Sequence, residues 1–301
     1  MELRHIRYFL AVAEEGNFTR AAARMGIGQP PLSQQIRDLE EEIGTRLFHR
    51  VPHGAELTEA GRAFLEGVSA LPDQVAGAVR QAQRAGRGET GALRIGFTGA
   101  AALNPIVPAA IRAFQRSRPH VELTLSEHNS TALGQGVRDG SLDLAFLRPS
   151  PTEQDLHLSL FPDEEMIAAV PLGHPALPQD PAAPLVLADL RDDPFILTPR
   201  PIGTAWFDAA LEACALAGFT PQLGQAAPQL SSVLSLVAAG QGVSVVPVSM
   251  RQLALEGVSY RAIGDVQART RLALASLRGR RNVLVQHFLG LAFSGQSAAV
   301  G

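Results

Sequence analysis

The sequence predicts two architectures in series, a helical N-terminal region with a small wing and a long helix, followed by a larger α/β module. Three observations predict this. Residues 1–60 carry short apolar repeats at helical spacing separated by glycines, residues 64–85 carry an apolar heptad, and from residue 91 strand-like runs alternate with helical ones. At 301 residues the chain has room for two or three compact units with cores of their own.

Leu3, Ile6, Phe9, Leu10 and Ala13 recur at helical spacing, and Gly16-Asn17 ends that helix. Thr19 can cap a second helix over Arg20 to Met25, stopped by Gly26. The third, Gln29 to Gly44, reads QPPLSQQIRDLEEEIG. Pro30 and Pro31 suit its first turn, where backbone N–H groups have no partner inside the helix, and Gly44 suits its end. Leu32, Ile36, Leu39 and Ile43 recur at steps of four, three and four, which predicts one buried stripe. Pro30, Ser33, Gln34 and Arg37 share a second face, rich in hydrogen-bonding groups and carrying one cation.

Two helices joined by a short Gly-containing turn form a helix-turn-helix, whose second helix reads base edges in the major groove from its N-terminal half. Glutamine and serine donate and accept at base edges, and arginine forks onto guanine or grips phosphate. Glu40, Glu41 and Glu42 then fall at the end pointing away from the phosphates. LFHRVPHGAELTEAG predicts two short strands around Pro52-His53-Gly54, with Arg50 and His53 near the tip of a wing, and Thr58 caps the next helix. Phe64, Val68, Leu71, Val75, Ala78, Ala82 and Ala85 form a coiled-coil seam that needs a partner, so a dimer is expected, with a bend at Pro72. RAGRGETG, residues 84–91, is the predicted linker. Beyond it, strands ALRIGFT, VELTLSEH, LDLAFLR, MIAAVPLG, DPFILTP and GVSVVP alternate with helices, predicting a parallel α/β sheet.

Composition narrows the function. The net charge of −3 does not advertise a nucleic-acid binder, and residues 1–60 hold seven arginines against nine carboxylates, so any DNA contact rests on charge placement. All 26 cationic side chains are arginine, which excludes Schiff-base and Walker-type lysine chemistry. The single cysteine, Cys214, precludes an internal disulfide and reads as a small core residue. The eight histidines form no HExxH, and there is no GxSxG, P-loop or post-strand GxGxxG; GQG at 240–242 reads as a helix-to-strand turn. No enzyme and no bound metal or cofactor is expected. No apolar run of about 18 residues is present, and charges break the N-terminal apolar run, so neither a membrane span nor a secretory signal is expected and the location reads as cytoplasmic.

From LRHIRYFLAVAEEGNFTRAAARMGIGQPPLSQQIRDLEEEIGTRLFHR through LTEAG, LRIGF, DGSLDLAF, the HP at 174 and VAAGQGVSVVP, the chain resembles a LysR-type transcriptional regulator from end to end. MELRHIRYF with QPPLS is most similar to the subgroup controlling catabolism of aromatic compounds through catechol and muconate. The resemblance implies a winged helix-turn-helix (1–58), a linker and dimerisation helix (59–90) and a two-subdomain effector module of periplasmic-binding-protein type (91–301). Subdomain I spans 91–162 and 268–301, and subdomain II spans 163–267. It implies a homotetramer bound to double-stranded promoter DNA, and a small-molecule effector. The DNA-contacting positions fall on Gln29, Pro30, Pro31, Ser33, Gln34 and Arg37, with Arg50 and His53 on the wing; many relatives carry arginine where this chain has Gln34. The effector positions fall on Thr98, Gly99, Ala100, Asn129, Ser130 and Arg148, and on Thr198, Pro199 and Thr204 of the other subdomain. Arg148 is the expected carboxylate receiver. Muconate-responsive relatives have serine where this chain has Ala100, which leaves a small organic acid as the effector class. A free-standing solute-binding protein or an enzyme on the same α/β module is the competing reading, and the N-terminal helices argue against both.

Overall fold

A computed structural model of the protein describes residues 1–52, 54–150, 155–279 and 282–294. The expected wing residue His53 lies outside the described residues. The chain divides into two compact units, Met1–Arg84 and Ala85–Gly301.

The first unit begins with α1 (Leu3–Glu15), α2 (Phe18–Met25) and α3 (Gln29–Ile43). Gly16, Gly26 and Gly44 each end a helix with positive φ, a conformation that glycine adopts without side-chain strain. The cap of α2 is Asn17, not Thr19. Its side chain accepts from the amides of Thr19 and Arg20, and the short carboxamide satisfies two orphan donors at once. Leu32, Ile36 and Leu39 are buried as expected, against Phe9, Val12, Ala21 and Leu47. Ile43, expected on the same stripe, is 37% exposed, at the last residue of the helix.

The wing is an antiparallel hairpin of β1 (Phe48–Val51) and β2 (Gly54–Leu57). It is fastened to the helices at two points. Ala55 N–H donates to the Gly16 carbonyl at 2.8 Å, and the Glu40 carboxylate accepts from the amides of Leu47 and Phe48 at 2.8 and 3.1 Å. Glu40 is therefore a structural acceptor rather than a spectator of the acidic run. The expected single long helix is two helices, α4 (Glu59–Val68), capped by the Thr58 hydroxyl, and α5 (Leu71–Gly86). Pro72 explains the break. It occupies the first turn of α5, where its missing N–H costs no hydrogen bond, so the chain interrupts the helix at Ser69-Ala70 instead of kinking it. No residue of α5 is buried within the chain.

The second unit is built on two larger sheets and one short two-stranded parallel sheet. Its elements are β3 (Gly91–Phe97), α6 (Gly99–Ala102), α7 (Ile106–Ser117), β4 (Val121–Glu127), α8 (Ser130–Asp139), β5 (Leu144–Leu147), β6 (Leu156–Leu160), β7 (Glu164–Pro171), β8 (Pro194–Phe195), α9 (Thr204–Leu216), β9 (Gln222–Leu223), α10 (Leu230–Ala238), β10 (Ser244–Pro247), β11 (Val258–Ala262), β12 (Arg269–Thr270), β13 (Ala273–Leu277) and α11 (Val283–Ser294). The first sheet runs β4-β3-β5-β13-β6. β3 is parallel to β4 and β5, as the alternation of strands and helices requires, but β13 is antiparallel to β5 and β6. The second sheet, β10-β7-β11 with β12 beside the start of β7, is antiparallel. The parallel expectation thus fails for β13, which returns to the first sheet after the second, and for β10 and β11, which both run against β7. Side chains of β5 alternate between faces. Leu144 and Phe146 pack with α7 and α11 on one side, while Ala145 and Leu147 pack with α8 on the other. A third core of Ile167, Val170, Trp206, Cys214, Val233 and Val245 holds α9 and α10 on the second sheet.

Candidate DNA-reading and effector sites

On α3, Gln29, Pro30, Pro31, Gln34 and Arg37 are exposed together near the helix start. Ser33 is not; it is buried, and its hydroxyl oxygen is 2.8 Å from the Gln29 amide nitrogen that donates to it. At about 100° per residue Ser33 lies about 60° around the helix from Ile36, at the edge of the inward stripe, and its small side chain follows that stripe inside. On the wing, the Arg50 guanidinium lies over the Phe18 ring, 5.6 Å from its centroid, which ties the cation to α2 while it faces solvent.

In the second unit, Thr98 and Arg148 directly follow the ends of strands β3 and β5. Thr98 caps α6, its hydroxyl accepting from the Ala101 amide, and Asn129 caps α8, accepting from Ala132. Gly99 lies against the Glu127 carboxylate, where a Cβ would come within 2.7 Å of an oxygen. Ala100 packs against the core of the second sheet. Ser130 starts α8 and is half-buried, and the next residue, Thr131, donates through its hydroxyl to the Pro201 carbonyl at 3.0 Å. That bond joins the α8 start to the loop 199–203, in which Pro199 closes a turn by accepting from Ile202. Thr198, at the base of that loop, is buried and its hydroxyl has no partner. The Thr204 hydroxyl donates to the Arg200 carbonyl and so tightens the loop.

Arg148 departs from expectation. Its guanidinium is buried and already holds a carboxylate, that of Glu164 at 2.9 Å, and also donates to the Thr270 hydroxyl. Glu164 in turn accepts from the Ser249 amide and from the Asn104 side chain. Burial alone would raise the Glu164 carboxyl, but the Arg148 charge and the Ser249 donors outweigh it and hold it below the usual value. Burial also lowers the guanidinium, opposed by Glu164; arginine nonetheless keeps its proton, so the pair is ionic. The Arg148 Nε is buried without a partner, so Glu164 and Thr270 do not take all of its donors.

Two surface grooves, about 480 and 370 Å³, lie elsewhere. The larger mixes Asp163, Asp208 and Glu212 with Arg269 and Arg271, and neither groove contains an expected effector residue. Burial pushes the Cys214 thiol up to about 12, so it is a core group and not a nucleophile. Among the described residues no cluster of three or more metal-ligating side chains occurs. No helix among them is long and apolar enough to cross a membrane.

Residues 3–62 match the bacterial regulatory helix-turn-helix protein model of the lysR family, and residues 86–294 match the LysR substrate binding domain. This chain belongs to the LysR family of transcriptional regulators. Relatives include the HTH-type transcriptional regulators AlsR of Bacillus subtilis, 35% identical over 96% of this chain and 94% of its own, and CatR of Pseudomonas putida, 35% identical over 97% and 98%. The fold is similar to that of full-length CbnR in complex with its target DNA, with a TM-score of 0.79 and 26% identity over 97% of this chain and 98% of that one. As a LysR regulator the protein is a DNA-binding transcription factor with an effector-binding domain, and the solute-binding-protein and enzyme readings find no support. Sequence reasoning missed Glu40 and Thr131. Both act through backbone partners beyond their own helix, Leu47 and Phe48 for Glu40 and Pro201 for Thr131, which helical periodicity does not reveal.

Proposed function

We infer that this LysR regulator reads promoter DNA with Gln29, Pro30, Gln34 and Arg37 at the start of α3, with Arg50 on the wing gripping phosphate. The carrying observation is the exposure of these side chains on one face of a helix whose other face, Leu32, Ile36 and Leu39, is buried. Ser33 serves that face by orienting Gln29 from inside. The exposed seam positions of α5, including Val75 and Ala78, support pairing of two chains there, and the tetramer of such dimers is the working assembly. The effector is a small organic acid held between the α8 start and the 199–203 loop. Free N–H groups at the α8 start favour an anion, and the partnerless Thr198 hydroxyl supplies a donor. The protein is cytoplasmic, uses no cofactor and catalyses nothing.

Arg37→Ala tests the DNA reading. In binding selections from a randomised duplex pool, it should flatten preference at one base pair and lower operator affinity by about 1 to 3 kcal/mol. Unchanged affinity and preference would remove Arg37 from the base contacts.

A further inference from the structure

Arg37 does not stand alone on its helix. Its guanidinium donates to the Gln34 side-chain carbonyl at 2.5 Å, and the Gln34 amide donates to Asp38 Oδ1 at 2.7 Å. The other Asp38 oxygen accepts from the Gln35 amide at 3.3 Å. The Gln35 carbonyl lies 3.1 Å from His5 Nε2, and His5 Nδ1 lies 3.2 Å from the Glu2 backbone N–H. A backbone N–H can only donate, so His5 Nδ1 is the acceptor and its proton sits on Nε2. From there each donor and acceptor has one consistent assignment. Histidine donates to the Gln35 carbonyl, both glutamine amides donate to the carboxylate, and the Gln34 carbonyl is left to receive arginine. The inner end of this chain is fixed, because His5 is only 8% exposed and α1 packs in the same core as α3.

We propose that Asp38 is a positioning residue for base recognition, holding Gln34 so that its carbonyl steers the Arg37 guanidinium toward the groove. This rests on the reading of Arg37 as a base contact. Asp38 is an acid on a DNA-facing helix, where its charge alone opposes binding to every sequence. Its retention of both amides gives it a second effect of opposite sign, on selectivity. One Nε2 hydrogen of Gln34 is committed to Asp38 and its carbonyl to Arg37, so the glutamine's contribution passes chiefly through arginine, which favours guanine. A reading group held by partners traceable to a packed core loses less freedom on binding than one held by solvent.

The test uses the full-length protein and three variants, Asp38→Ala, Asp38→Asn and Arg37→Ala, each selected against a randomised duplex pool and titrated on random-sequence DNA. Asparagine keeps an acceptor for the Gln34 amide but not the charge. The expected result is that Asp38→Ala loses about 5- to 10-fold of the preference at the base pair that Arg37→Ala also flattens, while Asp38→Asn retains it. Two results overturn the proposal: Asp38→Ala selecting the wild-type sequence with wild-type strength, or Ala and Asn behaving alike with a uniform rise in affinity for all DNA, the signature of charge alone. If Arg37→Ala itself changes no base preference, the underlying reading fails instead, and the two failures are told apart by that variant.

Discussion

At the scale of single residues, the Arg148–Glu164 pair shows how burial decides the meaning of a charge. An arginine at a strand end invites the role of ligand receiver, yet its geometry spends it on a carboxylate of the same chain. Removing one member of such a pair leaves the other uncompensated, at a cost of about 3 kcal/mol or more. Glu164→Gln should therefore lower the thermal midpoint at neutral pH. The pair also fixes a pH dependence. The folded-state pKa of Glu164 lies below its unfolded value, so its contribution is fully present above the ordinary carboxylate range of about 4.3 and is lost as pH falls through the lowered folded value. In the wild type the melting temperature should fall across that acid window. The part of the fall due to this group should vanish in Glu164→Gln, and an identical acid limb in both proteins would contradict the assignment.

At the scale of elements, the wing depends on one close approach. A Cβ at Gly54 would sit 2.1 Å from the Gly16 carbonyl oxygen, the acceptor of the Ala55 amide. Gly54→Ala must push the hairpin away from the α1–α2 turn, break that bond and loosen Arg50. We expect a destabilisation of about 2 kcal/mol by thermal melting and weaker operator binding with little change in base preference, since the bases are read from α3. The helices themselves were legible from their punctuation. Gly16, Gly26 and Gly44 end them where the sequence places the stops, and Thr58 starts α4. Less legible were choices between adjacent candidates, such as Asn17 over Thr19 as cap and the interior placement of Ser33. The first depends on which amides a short polar side chain meets, which periodicity does not carry; the second is a position at the edge of the inward stripe, where the 3.6-residue period does not decide between faces.

For the whole molecule, the α/β class follows from alternating strand and helix patterns, but strand direction does not, because β13 joins β5 and β6 antiparallel after the whole second sheet and β10 and β11 both join β7 antiparallel. The proposed effector site is legible only through the resemblance, which supplies its loop positions, whereas the Thr131–Pro201 bond and the isolated Thr198 hydroxyl appear only in three dimensions. A ligand that favours one arrangement of the two sheets shifts the equilibrium by its difference in affinity, typically about 1 to 3 kcal/mol. Thr198→Val separates structure from sensing. Valine removes a buried hydroxyl that has no partner, so the unliganded protein should be as stable as wild type or up to about 1 kcal/mol more so. In a thermal-shift panel of small aromatic acids and dicarboxylates, wild type should gain roughly 2.7 kcal/mol at about 100 times the dissociation constant, and the variant clearly less. An equal gain in both would place the ligand away from Thr198.

The return of the chain to its first sheet has a consequence for biosynthesis. Phe114 and Phe146 emerge early from the ribosome, but the residues that cover them, Leu272, Leu274 and Phe288, follow only after the whole second sheet has been made. Through that interval the nascent polypeptide carries an unfinished apolar face, at which chaperones or misassociation compete. Helix α11 is thus translated long after the strand and helix whose apolar face it covers.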